Sequence, residues 1–237
     1  MQLMNGFDSS IIGYLNKFAQ TSKSFDAFMV FIVDNSFIKA VILVCILWFF
    51  WFQKSSKLTG NRKGVIVTIF SCLVAIAVGR LLCVLLPFRA RPIINPAINF
   101  VKPFGTSALS LGTWSSFPSD NAVMFFSLAT GIFLISRKLG ILTYLYVLFV
   151  ICFPRVYLGY HFPTDILAGA VIGILITFLI SGNKISNPLS NKVFEFSAKH
   201  TGIFYSLAFL LTYEISKMFI EVRFICSHLL EVMRRIV

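Results

Sequence analysis

Five strongly apolar runs recur along this chain, each near the length that crosses a ~30 Å hydrocarbon core. They span about Ser36–Phe52, Gly64–Leu86, Asn121–Ser136, Leu139–Val156 and Asp165–Ser181. Lipid offers no partners for backbone N–H and C=O groups, so a spanning segment must satisfy them within a helix or a closed barrel. Runs of this length are helical. Composition agrees: 57% of the residues are hydrophobic and 13% charged, too little polar surface to keep such a chain in water.

A sixth, weaker run covers about Gly202–Ile220, interrupted by Glu214 and Lys217, three apart on one helix face and expected to pair. Ahead of the first run, Ile11, Ile12, Tyr14, Leu15 and Phe18 have helical spacing and predict an interfacial helix, and Ala27–Val33 leads into the first span. The first dozen residues hold no basic region and are broken by Asp8, unlike a cleavable signal peptide. Glu221–Val237 mixes basic and apolar residues and reads as an interfacial end. The expected fold is an all-α integral membrane bundle of about six transmembrane helices with an N-terminal interfacial helix, as one domain over 1–237. The five cysteines, Cys45, Cys72, Cys83, Cys152 and Cys226, lie in apolar stretches without paired spacing and read as small buried hydrophobes.

Basic residues set the orientation. Lys54, Lys57, Arg62 and Lys63 follow the first span, Arg137 and Lys138 the third, and Lys184, Lys192 and Lys199 the fifth. These loops share the cytoplasmic side, so Pro87–Asp120 and Arg155–Thr164 face outward. Much of the net charge of +12 is this topological signal and calls for no nucleic-acid partner. A sixth full crossing would carry Arg223, Arg234 and Arg235 outward, against the same rule.

The two outward loops bring three polar stretches to one face. They are Pro87-Phe88-Arg89-Ala90-Arg91-Pro92, Ser116-Phe117-Pro118-Ser119-Asp120-Asn121, and the segment from Pro154 to Asp165. Arg89, Arg91 and Arg155 offer planar donor forks for phosphate oxygens. Ser119 and the N–H groups opening the third span form a helix N-terminus suited to the same ligand. His161 is the one histidine near these loops, the others being His200 and His228. A neutral imidazole attacks phosphorus directly if its other nitrogen is fixed, and Asp165, four residues on, would stack beside it on one helical turn. Taken singly, an interfacial Arg is a snorkelling anchor and Pro-Ser-Asp a helix cap. Their conjunction on one face points to phosphate chemistry.

These stretches resemble the signature of the type-2 phosphatidic acid phosphatase superfamily: Lys-x6-Arg-Pro, Pro-Ser-Gly-His and Ser-Arg-x5-His-x3-Asp. Arg91-Pro92 matches the first motif, Pro118-Ser119 the second, and Arg155, His161 and Asp165 the third at its spacing. The resemblance covers about Asp8 to Ser181, leaving about 182–237 as a C-terminal extension, and is greatest to the bacterial branch that includes undecaprenyl diphosphate phosphatases. It implies a metal-independent lipid phosphatase without cofactor, in which Arg91, Arg155 and Ser119 bind phosphate, His161 is the nucleophile and Asp165 orients it.

Three positions depart from the pattern. Val84 stands where the first motif has Lys, Pro154 where the third has Ser, and Asn121 where the second has the His that serves as general acid. Arg80 lies a turn deeper than Val84, and its side chain is expected to lean away from the site. Asn donates a hydrogen bond but no proton. A lipid alcohol leaving as alkoxide needs that acid, whereas a lipid diphosphate expels a phosphate, already a stable anion. The motif therefore fits hydrolysis of an isoprenoid (undecaprenyl-type) lipid diphosphate at the outer face of a bacterial inner (plasma) membrane, through a phosphohistidine. The alternatives are a phosphotransferase of the same fold with a glycan or lipid acceptor, and a weakened lipid-phosphate binding protein.

Overall fold

The computed structural model describes residues 5–54, 57–106 and 114–222. Ser56, and the C-terminal stretch with Arg223, Cys226, His228, Arg234 and Arg235, lie outside the described residues. Those described form helices and irregular segments, without a β-strand.

Helix α1 (Gly6–Asn16) starts where the Asn5 side chain accepts from Asp8 N at 2.7 Å. Helix α2 (Lys23–Asp34) is capped by Ser22. Extended backbone at Asn35 ends α2, and the Asn35 side chain accepts from Ile38 N at 3.0 Å. The chain thereby restarts as α3 (Phe37–Phe52), bent by 59° from α2. Helix α4 (Leu58–Leu85) begins six residues before its apolar run. Then come α5 (Asp120–Ile135), α6 (Arg137–Tyr157, with a π-helical turn over Val147–Cys152), α7 (Pro163–Ser181), α8 (Asn183–Lys199) and α9 (Thr201–Ser216).

Three of these, α4, α6 and α7, are long and apolar enough to cross a membrane, and the bent α2–α3 pair makes a fourth. The chain is a multi-pass membrane protein, and among the described residues the full-length spans are fewer than the six expected. Helix α5 has 16 residues and α9 has 16, short of the ~20 that a full crossing takes. Helix α5 is instead the centre of the bundle: Ala122 to Ile132 are all buried, as expected of a helix apolar on every side. Helix α8 corrects the expected loop after the fifth span, since Lys184, Lys192 and Lys199 lie on it. On α9, Glu214 and Lys217 do not pair with each other, and Glu214 Oε2 is buried without a hydrogen-bond partner among the described residues. Trp48 donates to Thr212 Oγ1 at 3.3 Å and Trp51 to the Tyr205 hydroxyl at 3.1 Å, seating α9 on α3.

The packing that matters for the site is α5 on α7. A Cβ built at Gly169 would lie 2.7 Å from Ser119 O, and one at Gly173 would lie 2.4 Å from Val123 O. Gly169-x-x-x-Gly173 is thus a small-residue stripe that brings two backbones into direct contact. Thr177 joins Ser127 across the same interface at 2.8 Å.

Candidate active site

The α5–α7 contact continues to the helix ends. Ser119, fully buried, is the N-cap of α5, and its N–H donates to the Asp165 carbonyl at 3.2 Å. Helix α7 opens with Pro163 at its first position, suited by its fixed φ, and the Asp165 carboxylate accepts from Phe162 N at 2.7 Å as the helix cap. The segment between α6 and α7 folds back on Arg155, whose carbonyl accepts from Tyr160 N at 2.9 Å and His161 N at 3.3 Å. Gly159, at φ +71°, makes the turn. A Cβ there would lie 2.6 Å from the Phe100 ring, and its carbonyl accepts from Ile93 N, which ties the turn to the long loop.

His161 is buried at the centre of this arrangement. Its Nδ1 lies 3.0 Å from the Ser116 carbonyl and its Nε2 lies 3.3 Å from Arg91 Nη1. A carbonyl only accepts and a guanidinium only donates, so both contacts assign the proton to Nδ1 and the lone pair to Nε2. This differs from the expected direct bond to Asp165. Asp165 Oδ2 stands 3.7 Å from Nδ1, beyond hydrogen-bond reach. His161 precedes α7, so a spacing of four does not stack the pair on a helical turn, and the carboxylate is turned to Phe162 N and Arg89.

Arg89, expected among the phosphate ligands, has its guanidinium taken up by protein. Nη1 donates to Asp165 Oδ1 at 2.5 Å and Thr164 Oγ1 at 2.8 Å, Nη2 donates to Asp8 Oδ2 at 2.6 Å, and the fork lies 4.0 Å over the Phe162 ring. Asp8 is fully buried and also accepts from Thr164 N at 3.0 Å and Thr164 Oγ1 at 2.6 Å. Sequence reasoning missed Asp8 as a site residue. One signal was available: Asp8 shares a helical face with Ile12 and Leu15, where an apolar side chain belongs. Asp26 is a second buried acid of the N-terminal helices. It accepts from Phe104 N at 2.9 Å, Gln20 N at 3.0 Å and the Tyr157 hydroxyl, pinning the long loop from behind.

Two other arginines lie near His161. Arg91 Nη1 also donates to the Tyr160 carbonyl at 2.7 Å. Arg155, 4% exposed, donates from Nη1 to Ile151 O at 2.9 Å. Val84 is 70% exposed on the outer side of α4. Arg80 does not lean away as expected. It reaches Asp120 at 2.5 Å at the first turn of α5, with its guanidinium 5.1 Å over the Trp114 ring. Asn121 follows Asp120, and its Oδ1 is buried with no hydrogen bond among the described residues.

Burial pushes the His161 pKa below its ordinary value. The Asp165 carboxylate opposes that shift, while the positive charges of Arg91 and Arg155 add to it. Burial likewise lowers Arg91, against the attraction of Asp120 and Asp165. The resulting site has a neutral, oriented imidazole beside two guanidinium groups and a helix N-terminus. That combination can accept a phosphoryl group. Among the described residues, no three His, Cys, Asp or Glu side chains converge as a metal site.

Comparison with known proteins agrees with this chemistry. Residues 85–187 match the PAP2 superfamily model, which takes in the Arg91, Ser119, Arg155, His161 and Asp165 positions. The bacitracin transport permease protein BcrC of Bacillus licheniformis is 32% identical over 130 residues, 53% of this chain and 57% of that protein. The undecaprenyl-diphosphatase BcrC of Bacillus subtilis is 25% identical over 154 residues, 65% of this chain and 72% of that protein. The lipid A 1-diphosphate synthase of Escherichia coli is 28% identical over 174 residues, 71% of this chain and 72% of that protein. The match thus spans little more than half of the first of these relatives. Residues 85–187, a little under half of this chain, are thus similar to the PAP2 superfamily.

Proposed function

We propose that the protein is a lipid phosphatase that hydrolyses an isoprenoid lipid diphosphate through a phosphohistidine. The observation that carries this reading is the His161 ring, with Nδ1 on the Ser116 carbonyl at 3.0 Å and Nε2 free of a proton beside Arg91. Nε2 attacks the terminal phosphorus while Arg91, Arg155 and the N-terminus of α5 at Ser119 hold its oxygens. The P–N bond forms as the bridging P–O bond breaks, and the lipid monophosphate leaves as an anion. Water then attacks the phosphohistidine, its P–N bond breaks, and inorganic phosphate departs.

Asn121 supports the diphosphate class, because a departing phosphate requires no proton from that position. The similarity to a protein named undecaprenyl-diphosphatase is in keeping with this. Basic loops on the opposite side orient the site outward from a bacterial inner membrane. The similarity to a lipid A 1-diphosphate synthase favours one second reading, in which a phosphorylated lipid or glycan replaces water as the acceptor.

The test is phosphate release from a panel of lipid monophosphates and diphosphates, with EDTA present and with the His161→Ala variant alongside. Release from diphosphates that survives EDTA and disappears in the variant is expected. Strict dependence on added Mg²⁺, or unchanged release by the variant, refutes the mechanism. Transfer of label to an added lipid acceptor without phosphate release would establish the second reading.

A further inference from the structure

His161 carries a counter-charge problem that the motif residues do not solve by themselves. When Nε2 attacks phosphorus, the ring becomes cationic and keeps its Nδ1 proton, because the group bonded to it is a neutral carbonyl, that of Ser116. The stabilising negative charge must therefore act through space, from the Asp165 carboxylate at 3.7 Å. Arg89 sits directly on that carboxylate, 2.5 Å from Oδ1. A lone Arg89–Asp165 pair is neutral and offers the imidazolium little.

We infer that Asp8, on the N-terminal helix, is a positioning residue that draws on the charge of Arg89 and so leaves Asp165 electrostatically available to His161. Asp8 is fully buried and holds Arg89 Nη2 at 2.6 Å, on the other branch of the guanidinium from Asp165. The trio Asp8, Arg89 and Asp165 then carries one net negative charge beneath the ring. The groups facing His161 are Asp165 at the start of α7, Arg91 from the long loop and Arg155 from the end of α6, the last two both positive. With two cations on the substrate side, the excess negative charge behind the ring decides how well it bears a positive charge. Thr164 fixes the arrangement by donating both its N–H and its hydroxyl to Asp8.

The inference rests on the proposed nucleophilic role of His161, but it is tested without activity. The chain has three histidines, so the His161 ring is assignable by NMR in detergent micelles and its pKa can be followed by titration. Asp8→Asn is nearly isosteric and removes the charge. Its His161 pKa should fall by about half to one unit, the low end of the effect of a nearby charge. Arg89→Gln should raise the pKa by a similar amount, and Asp8→Asn combined with Arg89→Gln should return it close to the wild-type value. Thr164→Val loosens the same contact without changing charge and should leave the pKa in place while lowering thermal stability. In kinetic terms, kcat/KM for Asp8→Asn should fall about tenfold, with its acid limb displaced to lower pH.

A His161 pKa that is unmoved in both single variants overturns the inference. So does a double variant that stays with Asp8→Asn, which would mean that Asp8 merely docks α1. If the pKa values move as stated but no lipid phosphate is hydrolysed by the wild type, the proposed function fails and the charge arrangement stands.

Discussion

Replacing Gly169 by Ala tests whether the site depends on the backbone contact between α5 and α7. The added Cβ would meet Ser119 O at 2.7 Å, Ala122 Cβ at 2.7 Å and Val123 N at 3.0 Å. None of these is the end of a flexible side chain, so relief requires the helices to separate by about 0.5–1 Å, a strain of the overpacking kind. The Ser119 N–H to Asp165 carbonyl bond, already at 3.2 Å, passes out of hydrogen-bond range at that separation. Overpacking and the lost bond together cost about 2–4 kcal/mol of stability. Displacing the α5 N-terminus from His161 by this amount should lower kcat about 10–100-fold. Gly173→Ala strains the same interface deeper, with its Cβ 2.4 Å from Val123 O. It should destabilise comparably while costing less activity, since Ser119 and Asp165 lie a turn or more away. Gly13→Ala, inside α1 with nothing within 4 Å, is the control: it should leave kcat unchanged and, if anything, raise stability by up to about 1 kcal/mol. The assays are thermal unfolding in detergent and phosphate release at saturating lipid diphosphate. Wild-type kcat and Tm in Gly169→Ala would refute the view that this contact sets the site.

The pH profile follows from the lowered His161 pKa: neutral imidazole is the reactive form, so activity is lost as pH falls through that value. The acid limb of kcat/KM should lie below the ordinary ~6.5 of histidine, and a limb above it would contradict the burial argument. Asn121→His introduces an acid that matters for poor leaving groups, and should raise turnover of lipid monophosphates by up to ~10²-fold with a much smaller gain on diphosphates. Equal gains on both would remove the leaving-group account of Asn121. In a cysteine-free background, an impermeant thiol reagent added outside should label a Cys placed at Thr106 and spare one at Ser56. The opposite pattern would move the site to the cytoplasmic side.

The parts of this molecule legible in the sequence are those encoded by local pattern. Apolar runs gave the helices α4, α6 and α7, and the spacing of Arg155, His161 and Asp165 located the turn between two of them. What was illegible depends on distant partners or on backbone. Asp8 finds Arg89 across 81 residues and Thr164 across 156, so in the sequence it looked only like an interruption of an apolar stretch. The Ser116 carbonyl that orients His161 has no side-chain signature, since any residue supplies one. Asp165 was read as the direct partner of His161 because a spacing of four suggests a helical stack. Pro163 starts the helix between them, and the carboxylate caps that helix instead. Helix α8 is not evident in the sequence because its Asn, Ser and Lys residues and Pro188 look like a loop, yet the helix runs through that proline.

Two departures from the motif acquire a common logic from the charges around them. Val84 removes a cation from the first motif and Asn121 removes a titratable group from the second, so the substrate face keeps fewer ionisable groups than the family pattern provides. Arg80 is held by Asp120, and Arg89 is held by Asp8 and Asp165. Near the site, Arg80 and Arg89 are thus matched by carboxylates, and Arg91 and Arg155 are the guanidinium groups whose charge acts on His161. In the proposed mechanism, burial lowers the imidazole pKa and favours a neutral attacker, while Asp165 would support the cation that attack creates. Under that mechanism these demands oppose each other, and Asp165 at 3.7 Å would reconcile them, close enough to stabilise the charge and too far to take the proton. The N-terminal helices lie outside the matched region 85–187, yet α1 supplies the acid that bonds Arg89, and α2 supplies the acid that bonds the long loop at Phe104 N. The proposed charge network therefore reaches back to Asp8, well before the matched region.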